Sequence, residues 1–338
     1  MKKMLTLIAA LMFSAALFAP LAQAKTVRID EVVQDPAAEE AAAYKAWFEA
    51  NNAKDYAKAM ELAKTYLEKF PNGNAQNVAY LKKWIPQIRG YLFNQAVTAG
   101  NMGEMIRLGK EALGSEPDNL DYLWVMINQL RAKELYATPP NNSHAAEYGE
   151  LAKKAMSLIE AGKTPTGVKD FKKGSAQAFL NYDLGVIETR NKNVDKALEY
   201  NTKAARLDPA EPAYFFACGN LYQQKYAVAA QKFQSFPEAD QQAANEGKPD
   251  AKPEVKAALD EANKHADALI DCWARYVALT TGKKEYDTVR TNVEKELAKL
   301  YNYRHPDSPD GLQKLIQQYR GGSSTPPQNA TANSSVKQ

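Results

Sequence analysis

AFLNYDLGVIETRNKNVDKALEYNTKAARLDP, running from Ala178 to Pro209, places apolar residues three and four apart and sustains no apolar–polar alternation. That period belongs to helices. Small residues stand at Gly185, Ala197 and Ala204, Leu184 is a large apolar neighbour, and Pro209 closes the stretch. Two helices approach closely only where a small residue on one admits a bulky neighbour from the other, and a proline stops the helix before it. The same composition, rich in Ala, Leu, Lys, Glu and Gln, extends over residues 36 to 320, so the fold class is all-α.

The spacing returns along the chain. A second window opens at Pro212, 34 residues after Ala178, and supplies Phe215, Cys218, Gly219 and Tyr222. Earlier, a window from Glu40 has Ala59 and Pro71 at the matching places, with Trp47 where a small residue is usual. Another starts at Pro86 and gives Leu92, Phe93, Gly100, Ala112 and Pro117. The window after it starts at Leu120, with Leu123, Met126 and Leu130, a long loop around Pro139 to Asn142, and a second helix from about Ala145 to Ile159.

Small residues and prolines at these offsets resemble the tetratricopeptide repeat, whose period is 34 residues. The resemblance covers roughly residues 38 to 224 and implies a right-handed helical solenoid of about five helix pairs over 38–235. It also implies a concave groove lined by the first helix of each pair. Carried over window by window, one groove row reads Tyr44, Gly90, Trp124, Tyr182 and Phe216, and a second reads Phe48, Asn94, Asn128, Val186 and Asn220. Aromatic anchors suit a bound peptide or helix, and asparagines can hydrogen-bond a peptide backbone without reading its sequence. Arg131 and Arg190 fall near the places where some relatives hold a terminal carboxylate, but a matched set of basic residues is missing.

At the N-terminus, Lys2 and Lys3 precede an apolar run from Leu5 to Phe18 and the small-x-small triplet Ala22-Gln23-Ala24. This pattern reads as a secretory signal peptide, residues 1–24, cleaved between Ala24 and Lys25. The run is too short for the roughly 20 residues of a spanning helix, so no stable membrane insertion is expected after cleavage. A periplasmic or secreted location in a bacterial envelope follows. Removing two lysines and no acids from 43 basic and 40 acidic residues leaves 41 against 40, and nucleic acid is not an expected partner. Residues 25–37 form a short extension whose KTVRIDEVVQD alternates briefly, as a strand would.

Residues 236–254 turn rich in Pro, Asp, Gln and Gly and read as an inserted loop. Helices over Val255–Leu279, Tyr286–Leu300 and Gly311–Gln318 then make a C-terminal cap, residues 255–320, covering the end of the array. The tail 321–338 has the composition of disorder. Cys218 and Cys272 are the only cysteines, and the expected export makes a disulfide between them possible, with two buried thiols as the alternative.

The histidines, His144, His265 and His305, lie far apart without a second ligand at metal-binding spacing, so no metal or other cofactor is expected. No phosphate loop, nucleophile elbow or paired-cysteine motif is present, which argues against an enzyme. The expected function is a non-enzymatic scaffold that binds a protein or peptide. Two rivals are a small-molecule or glycan-binding module stacking its ligand on Trp124 and Tyr182, and a self-associating structural protein using Trp84, Trp273 or another exposed aromatic.

Overall fold

The computed structural model describes residues 35–308 and 310–321. The expected signal peptide with its Ala24–Lys25 junction, the alternating stretch 25–34 and the tail from 322 lie outside the described residues. Among the described residues the chain is all helix, with no strand. In order, the helices are α1 (Pro36–Asn52), α2 (Tyr56–Lys69), α3 (Ala75–Ala99), α4 (Met102–Ser115), α5 (Leu120–Leu130), α6 (Ala145–Glu160), α7 (Lys173–Arg190), α8 (Val194–Leu207), α9 (Pro212–Gln234), α10 (Glu238–Asn245), α11 (Pro253–Thr280), α12 (Asp287–Arg304) and α13 (Gly311–Arg320). A single π-turn, Arg131–Leu135, extends α5, and a 3₁₀ turn, Lys284–Tyr286, leads into α12.

Three helix pairs share their turn. Lys54, Gly100 and Lys192 all adopt left-handed backbone, with φ of 60°, 68° and 61°, each at the same offset from the windows that begin at 40, 86 and 178. The amide of the following residue, Asp55, Asn101 or Asn193, donates five residues back to the carbonyl of Ala50, Ala96 or Glu188. That is the Schellman closure of a helix end. The side chains of Asp55 and Asn101 then cap the next helix by accepting from the Lys58 and Glu104 amides. Each second helix, α2, α4 and α8, is 14 residues long and stops two residues before a proline, Pro71, Pro117 or Pro209.

The chain forms two compact units, divided between Lys82 and Lys83 inside α3. In the first, α1 packs on α2. Glu40 of α1 accepts from the Tyr66 hydroxyl of α2 and from the Asn74 amide, and Trp47, Met60, Ala63 and Tyr66 are buried. In the second, helices pack on their neighbours in sequence: α4 on α5, α5 on α6, α6 on α7, α7 on α8 and α8 on α9. α11 then lies along α9, with α10, α12 and α13 against it. The small residues that set the repeat are buried where expected: Ala59, Ala112, Ala197 and Ala204 are fully enclosed. A Cβ added at Gly185 would overlap Asn201 of α8, and one at Gly219 would overlap the Trp273 indole of α11.

Two expectations are corrected. Residues 236–254 are not simply a loop, because α10 occupies Glu238–Asn245 and buries Ala244 against Phe233, Ala251, Val255 and Ala258. Pro237 ends the preceding turn, and Glu238 and Asp240 fill the first turn of α10, where acids favour a helix N-terminus. Pro86 does not begin a helix but sits inside α3, which starts eleven positions earlier at Ala75. The three C-terminal helices fall within a few residues of their expected bounds.

Candidate functional site

The residues expected to line a groove are found in both units. Tyr44 belongs to the first, half-buried, with ring centroids 5.0 Å from Trp47 and 5.7 Å from Tyr66. In the second unit Trp124, Tyr182 and Phe216, from α5, α7 and α9, each meet further rings. Trp124 stands edge-on to Phe171 and Phe179, at 5.2 and 5.3 Å. Tyr182 packs on Tyr214 at 5.1 Å, and Phe216 on Tyr276 at 5.1 Å, which in turn meets Tyr286. Trp124, Phe171, Phe179, Tyr182, Phe216 and Tyr286 are half-buried, whereas Tyr214 and Tyr276 are buried behind them. Phe179 follows Ala178 in the founding stretch, but its role was not legible, because the repeat spacing singles out Tyr182 instead.

Next to Tyr182 on α7, Asp183 forms a polar centre that sequence reasoning missed. Asp183 is fully buried at 0 % exposure, and its carboxylate accepts from Arg131 Nε at 2.9 Å, from the Tyr136 hydroxyl at 2.5 Å and from the Tyr148 hydroxyl. The π-turn supplies Arg131, the segment after it Tyr136, α6 Tyr148 and α7 the carboxylate, so one residue ties four pieces of chain together. Burial pushes the Asp183 carboxyl above the usual carboxylate range, against the pull of Arg131 and the two phenols. Burial likewise pushes Tyr148 and Tyr182 above the usual phenol range.

This centre corrects the reading of the two arginines. Arg131 faces Asp183, and its guanidinium stacks over the Tyr136 ring at 4.7 Å and the Phe179 ring at 5.4 Å. Arg190 donates to Asn142 Oδ1 at 2.8 Å and to the Leu135 carbonyl, closing the long loop. Both guanidinium groups are engaged by partners within the fold. Of the asparagines, Asn94 and Asn128 are exposed, Asn128 donating back to the Trp124 carbonyl of its own helix, and Asn220 is half-buried.

The remaining candidates are placed as follows. Trp273, proposed as an exposed self-association residue, is 4 % exposed and packed on Gly219, so that role is withdrawn for it. Trp84 is half-buried. His144 pairs with Glu134 at 2.6 Å, His265 is buried beside Tyr222, and His305 stacks on Tyr301. Among the described residues no three His, Cys, Asp or Glu side chains come together to hold a metal, and no helix is long and apolar enough to cross a membrane. Two clefts open on the second unit. One of about 410 Å³ lies at the α4–α5 connection beside Asp118, Asp121 and Lys163, and one of about 270 Å³ between Tyr226, Trp273, Lys299 and Tyr303; neither is lined by Trp124 or Tyr182.

What the second unit offers is therefore a set of half-buried rings from α5, α7 and α9, backed by the buried Tyr214 and Tyr276, with one guanidinium fixed among them. Such a surface supplies rigid apolar contact area and cation–π capacity. Compared with protein-family models and with curated proteins, the chain matches none.

Proposed function

We propose that the chain is an exported, non-enzymatic scaffold of the tetratricopeptide type, which binds a protein or peptide of the bacterial envelope through the ring set of its second unit. The observation that carries this reading is a set of ring contacts on successive helices: Trp124, Phe179, Arg131 and Tyr136 run on from one another, and the following helices add the pairs Tyr182–Tyr214 and Phe216–Tyr276. Aromatic and arginine side chains are the types that dominate binding energy at protein interfaces. The repeated turns and buried small residues support the family assignment, and the basic-apolar-small pattern of residues 1–24 supports export.

The test is site-specific photo-crosslinking in cells, with a benzophenone amino acid at Tyr136, which is 41 % exposed, and at Val228 of α9, 70 % exposed, as control. A discrete polypeptide adduct from position 136 and none from 228 is the expected result. No adduct from 136, or equal adducts from both, contradicts the reading.

A further inference from the structure

Cys218 and Cys272 are the chain's only cysteines. They lie on α9 and α11, whose mutual packing is the most extensive between any two helices of the fold. Both are buried free thiols, and Cys218 is the neighbour that acts most strongly on the Cys272 thiol. The next residue on each helix explains how the sulfurs meet. Gly219 faces Trp273 so closely that a single added carbon would overlap the indole. The missing side chain is what lets the two helices approach at the level of the cysteines. Close approach of the two backbones is the geometric requirement for a disulfide.

We propose that Cys218 and Cys272 form an intramolecular disulfide that clamps α11, and with it α10, α12 and α13, onto α9, and that the bond is made while the chain folds. In the packed state both sulfurs are shielded from a reagent. The neighbouring Cys218, and then burial, hold the Cys272 thiol well above the usual thiol range, so little of it is the thiolate that attacks a disulfide. Before α11 seats on α9, both thiols are open to solvent.

The oxidant is a small disulfide such as oxidised glutathione, or the disulfide of a thiol–disulfide oxidoreductase. One cysteine thiolate attacks it, forming a mixed disulfide and releasing one reduced thiol. The second cysteine thiolate then attacks the protein sulfur of the mixed disulfide, forming the Cys218–Cys272 bond and expelling the second reduced thiol. Two electrons pass from the cysteines to the oxidant, and their two protons end on the released thiols. The bond spans 54 positions (272 minus 218), long enough to restrict the unfolded chain substantially.

The test refolds the full reduced chain from denaturant in a mixture of reduced and oxidised glutathione, or in reductant alone. The oxidised product is expected to lose about 2 Da, to give a Cys218–Cys272 linked peptide, and to melt roughly 5–10 °C above the reduced protein. Folded reduced protein given the same oxidant is expected to form the bond at least tenfold more slowly. A Cys218→Ser, Cys272→Ser double variant is expected to melt with the reduced protein. Peptide mapping of the wild type decides the question even if that variant does not fold. Two alkylatable thiols after oxidative refolding, or a bond that lowers Tm, would overturn the disulfide. Equal oxidation rates in folded and refolding protein would overturn its timing.

Discussion

At Asp183 three donors converge on one enclosed carboxylate from 35, 47 and 52 residues away in the chain. Replacing it with alanine strands two phenols and a guanidinium, and breaking such a buried set costs about 3 kcal/mol. Urea denaturation of Asp183→Ala is expected to show that loss, and a change below about 1 kcal/mol would mean the cluster is ornamental to stability. No sequence period could have indicated it, since the aspartate sits among helical neighbours and its partners are set by tertiary packing. Gly219 makes the opposite case, where a repeat offset does carry information, and Gly114, at no such offset, is the comparison. Alanine at Gly219 must displace the Trp273 ring and is expected to cost about 1–3 kcal/mol. Alanine at Gly114 meets nothing within 4 Å and is expected to gain up to about 1 kcal/mol from helix propensity. If both changes act in the same direction, the packing at Gly219 is not as described.

Among the elements, the shared turn is the most regular feature, and it was only partly readable. Gly100 announced itself as a left-handed residue, whereas Lys54 and Lys192 hold the same backbone without glycine's freedom. Lys192→Gly is therefore expected to stabilise the second unit by roughly 0.5–1 kcal/mol, measurable as a rise in its urea midpoint; a loss would deny the strain. α10 was missed because proline, glycine and acids outweighed its short AAN core in a composition reading, although Glu238 and Asp240 are first-turn residues. α3 runs through Pro86, against the local preference of proline for a helix start.

In the first unit, the hydrogen bond from Tyr66 and then that from Asn74 hold the Glu40 carboxyl below the usual range. A lowered folded pKa contributes stability that is present above the unfolded value near 4.5 and is lost as pH falls through the lower folded value. Acid titration of the α1–α2 pair, followed by tyrosine fluorescence, is expected to show that loss in wild type and to lack it in Glu40→Gln. Identical acid limbs would contradict the role given to Glu40.

For the molecule as a whole, the helical class and the bounds of α6 and the last three helices were legible because amphipathic period, small residues and prolines are local signals. Where rings gather was half legible: Trp124, Tyr182 and Phe216 carry the repeat offset, while Phe171, Tyr136 and Tyr214 enter through contacts that no offset encodes. Arg190 shows the reverse, a residue at a groove-like offset that tertiary structure engages on the long loop, whereas Arg131 both pairs with Asp183 and stacks among the rings. The ring set is thus the surface on which the binding proposal stands. The most direct measurement is calorimetric titration of the polypeptide captured from position 136 into wild type and into Trp124→Ala, with circular dichroism confirming equal helix content. Weakening of Kd by about tenfold or more, the loss expected of an interface anchor, is the predicted result, and an unchanged Kd would contradict the assignment of the ring set as the binding surface.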